Sequence, residues 1–258
     1  MQFNPSVAAI EESPISATFA LVAHRGGRQP LIDLSQAAPT YATAPVIAQR
    51  IAEVATESDG GRYSPSFGLP ELRETFAAEI AADYQGRVGV DNVMITAGCN
   101  QAFCLAASAL AAPGEEIIVS VPYYFNHSMW CDAEGITVKL MVGASHPDRA
   151  AGLITDRTRA ILIVTPGNPS GVTLSPEVIA GFAALAQEHR IALIIDETYR
   201  NFRSTDAPAH HLFADPAWGD TVVSLHSFSK DLAIPGYRVG ALVAGVGRWH
   251  RSVVPAVQ

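Results

Sequence analysis

The sequence predicts an α/β fold in which a mostly parallel sheet is flanked by helices. From residue 91 onward, short apolar segments alternate with segments of helical spacing, which is the pattern of successive βαβ units. Hydrophobic residues make up 48% of the 258-residue chain and charged residues only 16%, a composition that suits strands buried on both faces. A chain of this length can bury the core of one large domain or of two smaller ones.

The composition also argues against several classes of protein. The formal net charge of −8 and the lack of basic runs argue against a nucleic-acid binder. No apolar stretch has the length of a membrane span, and the first residues lack the pattern of a signal peptide. Cys99, Cys104 and Cys131 are odd in number and lack the spacing of zinc ligands. We therefore expect a reduced, cytoplasmic protein without a metal site.

The first 90 residues predict an arm followed by two helices. Residues 1–30 contain scattered Pro, Ser and Gly without a sustained period, so we expect an arm rather than a core element. Residues 31–39 predict a short extended segment that ends at a proline. Apolar residues at helical spacing then predict helices over residues 44–57 and 69–84, with Pro70 in the first turn of the second.

The rest of the chain predicts six strands and three further helices. The strands are expected over residues 93–96, 116–120, 136–142, 160–164, 191–195 and 221–225, and the helices over residues 100–111, 125–133 and 176–189. Neither a Walker loop nor a Gly-x-Gly-x-x-Gly fingerprint follows any of these strands. The pattern therefore argues against a nucleotide hydrolase or a dinucleotide-binding domain.

The segment after the last predicted strand carries the strongest functional signal. Residues 227–240 are S-F-S-K-D-L-A-I-P-G-Y-R-V-G, so Lys230 follows a strand end, where α/β sheets hold their ligands. Lys139 is the only other lysine, against fifteen arginines. Lysine can lose its proton and form a Schiff base with a carbonyl group, which arginine cannot do. The serines and Arg238 suit a phosphate beside that amine; an ordinary surface lysine before a turn is the alternative.

This segment resembles the pyridoxal-phosphate lysine signature of the class I/II aminotransferases, which are fold-type-I pyridoxal-phosphate-dependent enzymes. The resemblance rests on Ser-Phe-Ser-Lys, followed by Gly-Tyr-Arg-Val-Gly with Arg238 eight positions after Lys230. It implies that Lys230 binds pyridoxal 5'-phosphate covalently. It also implies that Ser227 and Arg238 contact the phosphate of this cofactor.

Two upstream segments resemble further cofactor contacts of the same family. Thr-Ala-Gly-Cys-Asn-Gln at residues 96–101 joins a predicted strand to a helix N-terminus, where free N–H groups favour an anion. By itself this segment favours a plain tight turn, but the resemblance implies that Gly98, Cys99 and Asn100 hold the cofactor phosphate. Tyr124 would stack on the cofactor ring, with Tyr123 as the near alternative.

Two later segments would contact the cofactor ring. Thr-Pro-Gly-Asn-Pro-Ser-Gly at residues 165–171 resembles the family's Asn-Pro-x-Gly turn, which implies that Asn168 donates to the phenolic oxygen. Asp196 follows an apolar strand, where an unpaired carboxylate is costly and a pyridinium N–H would satisfy it. Tyr199 would share the phenolic oxygen with Asn168.

A sixth segment implies a homodimer. Residues 61–73, G-R-Y-S-P-S-F-G-L-P-E-L-R, resemble the family's Tyr-x-x-x-x-Gly-x-x-x-Leu-Arg segment. In that family the tyrosine contacts the phosphate of the neighbouring subunit, so the resemblance implies that Tyr63 acts on the cofactor of a partner chain.

The sequence departs from the family pattern in two places. Ala37-Ala38 precede Pro39 where the family usually has a glycine near the substrate. Family members also continue past the lysine signature into a small domain that carries the arginine for the substrate α-carboxylate. We therefore expect an N-terminal arm over residues 1–45, a pyridoxal-phosphate-binding large domain over residues 46–258, and no small domain.

The resemblance implies an aminotransferase that acts on an amino acid and a 2-oxo acid, with Lys230, Asp196 and Tyr199 as catalytic residues. A carbon–sulfur lyase on the same scaffold is one alternative. A non-catalytic fragment that binds the cofactor is the other, because neither Arg248 nor Arg251 has an evident route to the substrate. We expect no metal and no nucleic-acid or membrane partner.

Overall fold

The computed structural model describes residues 1–2, 4–27 and 29–247. Within these residues seven strands form one sheet, in the spatial order β1-β7-β6-β5-β4-β2-β3. The strands are β1 (Val93–Thr96), β2 (Glu116–Val121), β3 (Thr137–Val142), β4 (Thr158–Val164), β5 (Ala192–Asp196), β6 (Val222–Ser227) and β7 (Gly240–Ala244). The five strands from β2 to β6 run parallel to one another. The predicted fold class, a mostly parallel sheet flanked by helices, is therefore confirmed.

Strand β7 was not predicted, and it runs antiparallel to both β1 and β6. The β1 strand, which was predicted, consequently joins the sheet only through β7. The connection between β6 and β7 contains only a 3-10 turn, Pro235–Tyr237, whereas parallel neighbours are usually joined by an α-helical crossover. The Lys230 segment occupies this connection.

The helices are α1 (Pro5–Ala8), α2 (Pro14–Ala23), α3 (Pro45–Thr56), α4 (Pro70–Asp83), α5 (Cys99–Leu110), α6 (Phe125–Ala133), α7 (Pro147–Ala151) and α8 (Pro176–His189). The five predicted helices, α3 to α6 and α8, lie close to their predicted positions. Helices α1, α2 and α7 were not predicted; Ser13 caps α2 by accepting from the Ile15 N–H, ahead of a proline at the first helical position. Neither α1 nor α2 buries a residue. In the described part of the chain, no helix has the length and apolar character to cross a membrane.

Each face of the sheet is covered by its own apolar layer. Along β5, Leu193 and Ile195 pack in the layer that contains Phe182 of α8. Ala192 and Ile194 pack in the layer that contains Phe103 of α5. Because side chains alternate between the faces of a strand, the next residue after Ile195 lies on the α5 face.

The carboxyl ends of β4, β5 and β6 meet at one edge of the sheet, and backbone hydrogen bonds continue beyond them. Thr165 N donates to Asp196 O at 3.0 Å, and Glu197 N donates to Leu225 O at 2.9 Å. Phe228 N donates to Val239 O at 3.1 Å. The three loops that carry the predicted functional residues are therefore fixed to one another.

Lys139 lies at the other end of the sheet and has a structural role there. Its amine is 3.2 Å from the carboxylate of Glu116, a fully buried residue at the start of β2. The Thr155 hydroxyl donates to the same carboxylate at 2.6 Å and is the main reason that the pKa of Glu116 falls to about 2. Lys139 is the only alternative to Lys230 as the reactive lysine, and its amine is engaged in this ion pair.

Candidate active site

A cleft of about 590 Å³ lies at the carboxyl edge of the sheet. Its walls include nine of the residues singled out from the sequence: Cys99, Asn100, Tyr124, Asn168, Asp196, Tyr199, Ser227, Lys230 and Arg238. These residues come from five different loops, which the parallel strands bring to the same edge. Tyr63 does not line the cleft, and its side chain is fully exposed.

The turn at residues 96–100, here called the Gly98 turn, forms one end of the cleft. Gly98 has a φ of +84° and precedes the first residue of α5, whose N-terminus is not capped by any side chain. The first N–H groups of the helix are therefore free to bind an anion, which the helix dipole also favours. A Cβ atom at Gly98 would collide with the guanidinium of Arg238, so Arg238 lies directly beside the turn.

Gly240 lies directly against the Gly98 turn. A Cβ atom at Gly240 would lie 2.6 Å from the carbonyl carbon of Gly98 and 2.7 Å from the nitrogen of Cys99. Only glycine permits this close approach of backbone to backbone. The first residue of β7 therefore determines where the turn sits, and with it the anion-binding N–H groups.

Asp196 lies at the other end of the cleft and is only 4% exposed. His127 Nε2 lies 3.2 Å from one carboxylate oxygen, and Thr198 N donates to the other at 3.0 Å. Burial by itself raises the pKa of this carboxyl. The hydrogen bond and the charge of His127, together with the hydrogen bonds of Thr198, outweigh burial and lower the pKa. Asp196 is therefore an anion at neutral pH, held ready for a cationic N–H donor.

His127 was not recognised as a site residue from the sequence, although it lies only three residues after Tyr124. It lies on α6, is 2% exposed and contacts Asp196 across the gap between α6 and β5. Four of the nine residues of α6 are polar, so no local pattern distinguished His127. Only the packing of α6 against the strand end shows which residue His127 contacts.

Lys230 lies at the mouth of the cleft. Its pKa is lowered, first by partial burial and second by the positive charge of Arg238. Its amine donates to the carbonyl oxygen of Ala37 and lies 5.9 Å from the centre of the Tyr199 ring. Because a lowered pKa increases the neutral fraction of the amine, Lys230 is a better nucleophile at neutral pH than an ordinary lysine.

Two hydrogen-bonding side chains lie beside Lys230. Asn168 donates its amide N–H to the Tyr199 hydroxyl at 3.4 Å. Burial, followed by the charge of Asp196, raises the pKa of Tyr199 to about 12. The tyrosine therefore keeps its proton at neutral pH and can donate it to an oxygen in the cleft.

Both candidate stacking residues line the cleft. Tyr124 is half-buried, and its ring centre lies 5.6 Å from that of His127, which also contacts Asp196. Tyr123 also packs against the apolar layer under α5. Both tyrosines thus border the cleft.

A second lobe of about 490 Å³ opens next to the cleft. The two share five lining residues: Ala37, Asn168, Pro169, Tyr199 and Lys230. The lobe continues along residues 38–41, which carry the departure from the family pattern. The Tyr41 hydroxyl donates to the Lys230 carbonyl at 2.5 Å, so this segment lies against the lysine loop.

Residues 29–254 match the family model for aminotransferase class I and II. The chain belongs to this family. It is 30% identical to an aspartate aminotransferase of Thermotoga maritima over 91% of this chain and 64% of the relative. An aspartate aminotransferase of Streptomyces avermitilis is 29% identical over 92% of this chain and 60% of the relative. The chain thus spans less than two thirds of the length of these two relatives.

Solved structures show the same relationship. An aspartate aminotransferase structure from Thermotoga maritima superposes with a TM-score of 0.86 at 26% identity, covering 99% of this chain and 69% of that one. The Thermus thermophilus aspartate aminotransferase with maleate superposes with a TM-score of 0.87 at 24% identity, covering 100% of this chain and 68% of that one. The second likeness concerns the fold alone.

Class I and II aminotransferases use pyridoxal phosphate, and the groups in the cleft suit this cofactor. A phosphate requires N–H donors and positive charge, which the Gly98 turn and Arg238 supply. A protonated ring nitrogen requires a buried anion, which Asp196 supplies. An aldehyde requires an amine with a lowered pKa, which Lys230 supplies. The cleft thus holds a partner for each reactive part of the cofactor.

We predict that Gly240→Ala weakens the binding of pyridoxal phosphate because the added methyl group displaces the Gly98 turn. Overpacking of this kind costs about 1–3 kcal/mol of unfolding free energy. Gly236→Ala is the matched control, because a Cβ atom there meets nothing within 4 Å. Fluorescence titration and thermal unfolding of both variants measure the two effects. Equal cofactor affinity in the two variants would contradict the role assigned to Gly240.

Proposed function

We propose that the protein is a pyridoxal-phosphate-dependent aminotransferase that moves an amino group between an amino acid and a 2-oxo acid. The observation that carries this proposal is the pairing of Lys230, an amine with a lowered pKa, with the buried anion Asp196 in one cleft. The names of the relatives support it, since aspartate, aspartate/prephenate and aromatic aminotransferases are among them.

The proposed mechanism needs the lysine amine in two roles. When bound, pyridoxal phosphate supplies an electron sink for the negative charge that develops at the substrate Cα. Lys230 would hold the cofactor through its amine. Its neutral Nζ would also take the proton from the substrate Cα as a general base and release it as a general acid.

The other residues of the cleft orient the reacting groups. Asp196 keeps the ring nitrogen protonated, and Tyr124 lies against the ring, with Tyr123 as the alternative. Asn168 and Tyr199 donate to the phenolic oxygen. The phosphate is held by a separate group of residues: Gly98, Cys99, Asn100, Ser227 and Arg238.

The proposal extends to the assembly and its location. Tyr63 would contact the phosphate of a partner chain in a homodimer, which fits its full exposure in the single chain. We keep residues 1–45 as the arm and residues 46–258 as the cofactor-binding domain. A cytoplasmic location stays a prediction, and the three cysteines are free thiols.

For the 258-residue polypeptide by itself we propose cofactor binding with weak or no transamination. Arg238 is the only arginine among the described residues that line the cleft and its second lobe, and it lies beside the Gly98 turn. A substrate α-carboxylate therefore lacks a bidentate guanidinium partner among these residues. Arg248 and Arg251, the two remaining candidates, lie outside the described residues.

We predict that the wild-type chain develops a visible absorbance with added pyridoxal phosphate and that Lys230→Ala abolishes it. Because the pKa of Lys230 is lowered, the absorbance should develop at lower pH than with an ordinary exposed lysine. Lys139→Ala is the control, since this amine is held by Glu116. Borohydride trapping followed by peptide mapping locates the linkage. A label on Lys139 would overturn the assignment.

We predict that Asp196→Asn retains part of the cofactor affinity but loses the stabilised positive charge on the ring nitrogen. The pH titration of the cofactor absorbance should therefore shift. In any preparation that shows turnover, the rate should fall by at least about a hundredfold, the usual effect of removing one preorganised electrostatic partner. Absorbance titration and single-turnover kinetics test this. An unchanged rate would mean that Asp196 does not face the ring nitrogen.

We predict that the purified 258-residue chain binds pyridoxal phosphate but turns over amino acids slowly or not at all. The assay follows both 2-oxo acid formation and ammonia release across a panel of amino acids, because ammonia and pyruvate together indicate a carbon–sulfur lyase. Lys230→Ala, which lacks the reactive amine, defines the background. Steady transamination of any amino acid by the wild-type chain would disprove the proposed inactivity while supporting the proposed reaction.

A further inference from the structure

A second carboxylate, Glu197, directly follows Asp196 at the end of β5. Glu197 is 1% exposed, and no part of the proposed mechanism uses it. Its side chain contacts Tyr84, which belongs to the apolar layer on the face opposite α5. Two neighbouring carboxylates are thus buried on opposite faces of the sheet, and only one of them lines the cleft.

Two hydroxyl donors and one histidine, from three separate parts of the chain, surround Glu197. The Tyr84 hydroxyl, at the end of α4, donates to Oε1 at 2.5 Å. The Ser224 hydroxyl, on β6, donates to Oε2 at 2.6 Å. His210 Nε2 lies 3.6 Å from Oε2. Burial by itself raises the pKa of Glu197, but His210, followed by His226 and the Ser224 hydroxyl, outweighs burial and lowers this pKa to about 2.

The neighbouring histidines leave the negative charge on Glu197. His210 Nδ1 accepts from Leu212 N at 3.3 Å, and the other ring nitrogen, Nε2, faces Glu197. Ser224 gives its proton to Glu197 and so accepts from His226 Nε2 at 2.9 Å. Burial lowers the pKa of His226 to about 4, so His226 is neutral. Glu197 is therefore a buried anion held by directed hydrogen bonds.

A buried carboxylate anion adds little to the stability of an apolar core. Leu193 and Ile195 precede it on the same face of β5 and are buried without polar partners. A well-packed apolar residue in the place of a buried charge is often neutral or stabilising, because the charge must be removed from water. What the carboxylate adds over an apolar residue is geometry, since its two oxygens accept from fixed directions.

The geometry of Glu197 is linked to that of Asp196 through one turn. Glu197 N donates to Leu225 O at 2.9 Å, and Glu197 O accepts from Arg200 N at 3.0 Å. The turn between these bonds places Thr198 N against the Asp196 carboxylate at 3.0 Å and carries Tyr199 into the cleft.

The same turn is attached to α4 at a second point. Arg200 is 7% exposed and forms ion pairs with Glu79 and Asp83 of this helix. Both attachments lie on the face away from the cleft. The turn that supports Asp196 is thus attached to α4 on the face away from the cleft, while its other side borders the cleft.

We propose that Glu197 is a positioning residue whose hydrogen bonds to Tyr84 and Ser224 hold Asp196 against His127. The consequence for the cofactor rests on the proposed function, whereas the effect on Asp196 and His127 concerns the chain alone. Glu197 touches neither substrate nor cofactor; it acts through the peptide that it shares with Asp196.

The chain offers a matched control for this inference. Glu116 is also a fully buried carboxylate in the same sheet, with a pKa lowered to about 2 by hydroxyl and cationic partners. It lies at the start of β2, at the edge opposite the cleft. Glu197→Gln and Glu116→Gln each remove one buried charge and keep the side-chain volume. Tyr84→Phe and Thr155→Val each remove one donor to these carboxylates and keep the charge.

The first measurement needs no cofactor. The ring-nitrogen chemical shifts of His127, recorded by NMR on ¹⁵N-histidine-labelled full chain, report its contact with Asp196. We expect Glu197→Gln to change them, and Tyr84→Phe to change them in the same direction by less. Glu116→Gln and Thr155→Val should leave them as in the wild type. Thermal unfolding of all four variants shows whether the two pairs lose comparable stability, and Tyr84→Phe keeps the test possible if Glu197→Gln does not fold.

The second measurement adds pyridoxal phosphate. Glu197→Gln should weaken its binding by about tenfold, the lower end of the effect of removing a partner behind a metal ligand, and should shift the pH midpoint of the absorbance. The two controls should match the wild type. Failure of the wild type to bind would refute the proposed function and leave the NMR measurement to decide the inference. The inference would be overturned if the His127 chemical shifts in both Glu197→Gln and Tyr84→Phe matched those of the wild type. It would also be overturned if Glu116→Gln changed these shifts as much as Glu197→Gln does.

Discussion

The structure depends on keeping one carboxylate, Asp196, charged although it is only 4% exposed. A buried charge requires partners, and here they come from three elements: His127 on α6, Thr198 in the turn after β5, and the Cys99 thiol at 3.5 Å on α5. These contacts require α5 and α6 to pack on the same face of the sheet. The apolar layer under α5 therefore does more than bury surface, because it brings the donors to Asp196.

The phosphate end of the cleft follows from a different constraint, the close approach of two backbones. Gly240 opens β7 directly against the Gly98 turn, and Arg238 lies beside the same turn two residues earlier. The reversal of β7 relative to β6 makes this arrangement possible, since it returns the chain to the carboxyl edge after Lys230. The arginine and the glycine of this segment thus act at the Gly98 turn, while its lysine lies at the mouth of the cleft.

Local patterns were enough to locate most elements and most cleft residues. Helices α6 and α8 match their predicted bounds, and the apolar runs that became β2, β4, β5 and β6 each show the β-branched character of buried strands. Strand β7 and helix α2 were missed because their signals are short: a five-residue run after a glycine, and a capped helix without a buried face. Periodicity does not detect elements of this kind.

The sequence by itself determined the chemical groups of the cleft and their order, because Lys230, Asp196 and Asn168 each belong to a local motif with its own signature. Only the tertiary structure decided what each group contacts. His127 and Glu197 carry no local signature, because their partners are distant in sequence. Asp196, the partner of His127, lies 69 positions away. The partners of Glu197 are Tyr84, at the end of α4, and Ser224, on the neighbouring strand β6. The strength of an electrostatic contact depends on the distance between the two groups in space, and that distance is set only when the sheet has folded.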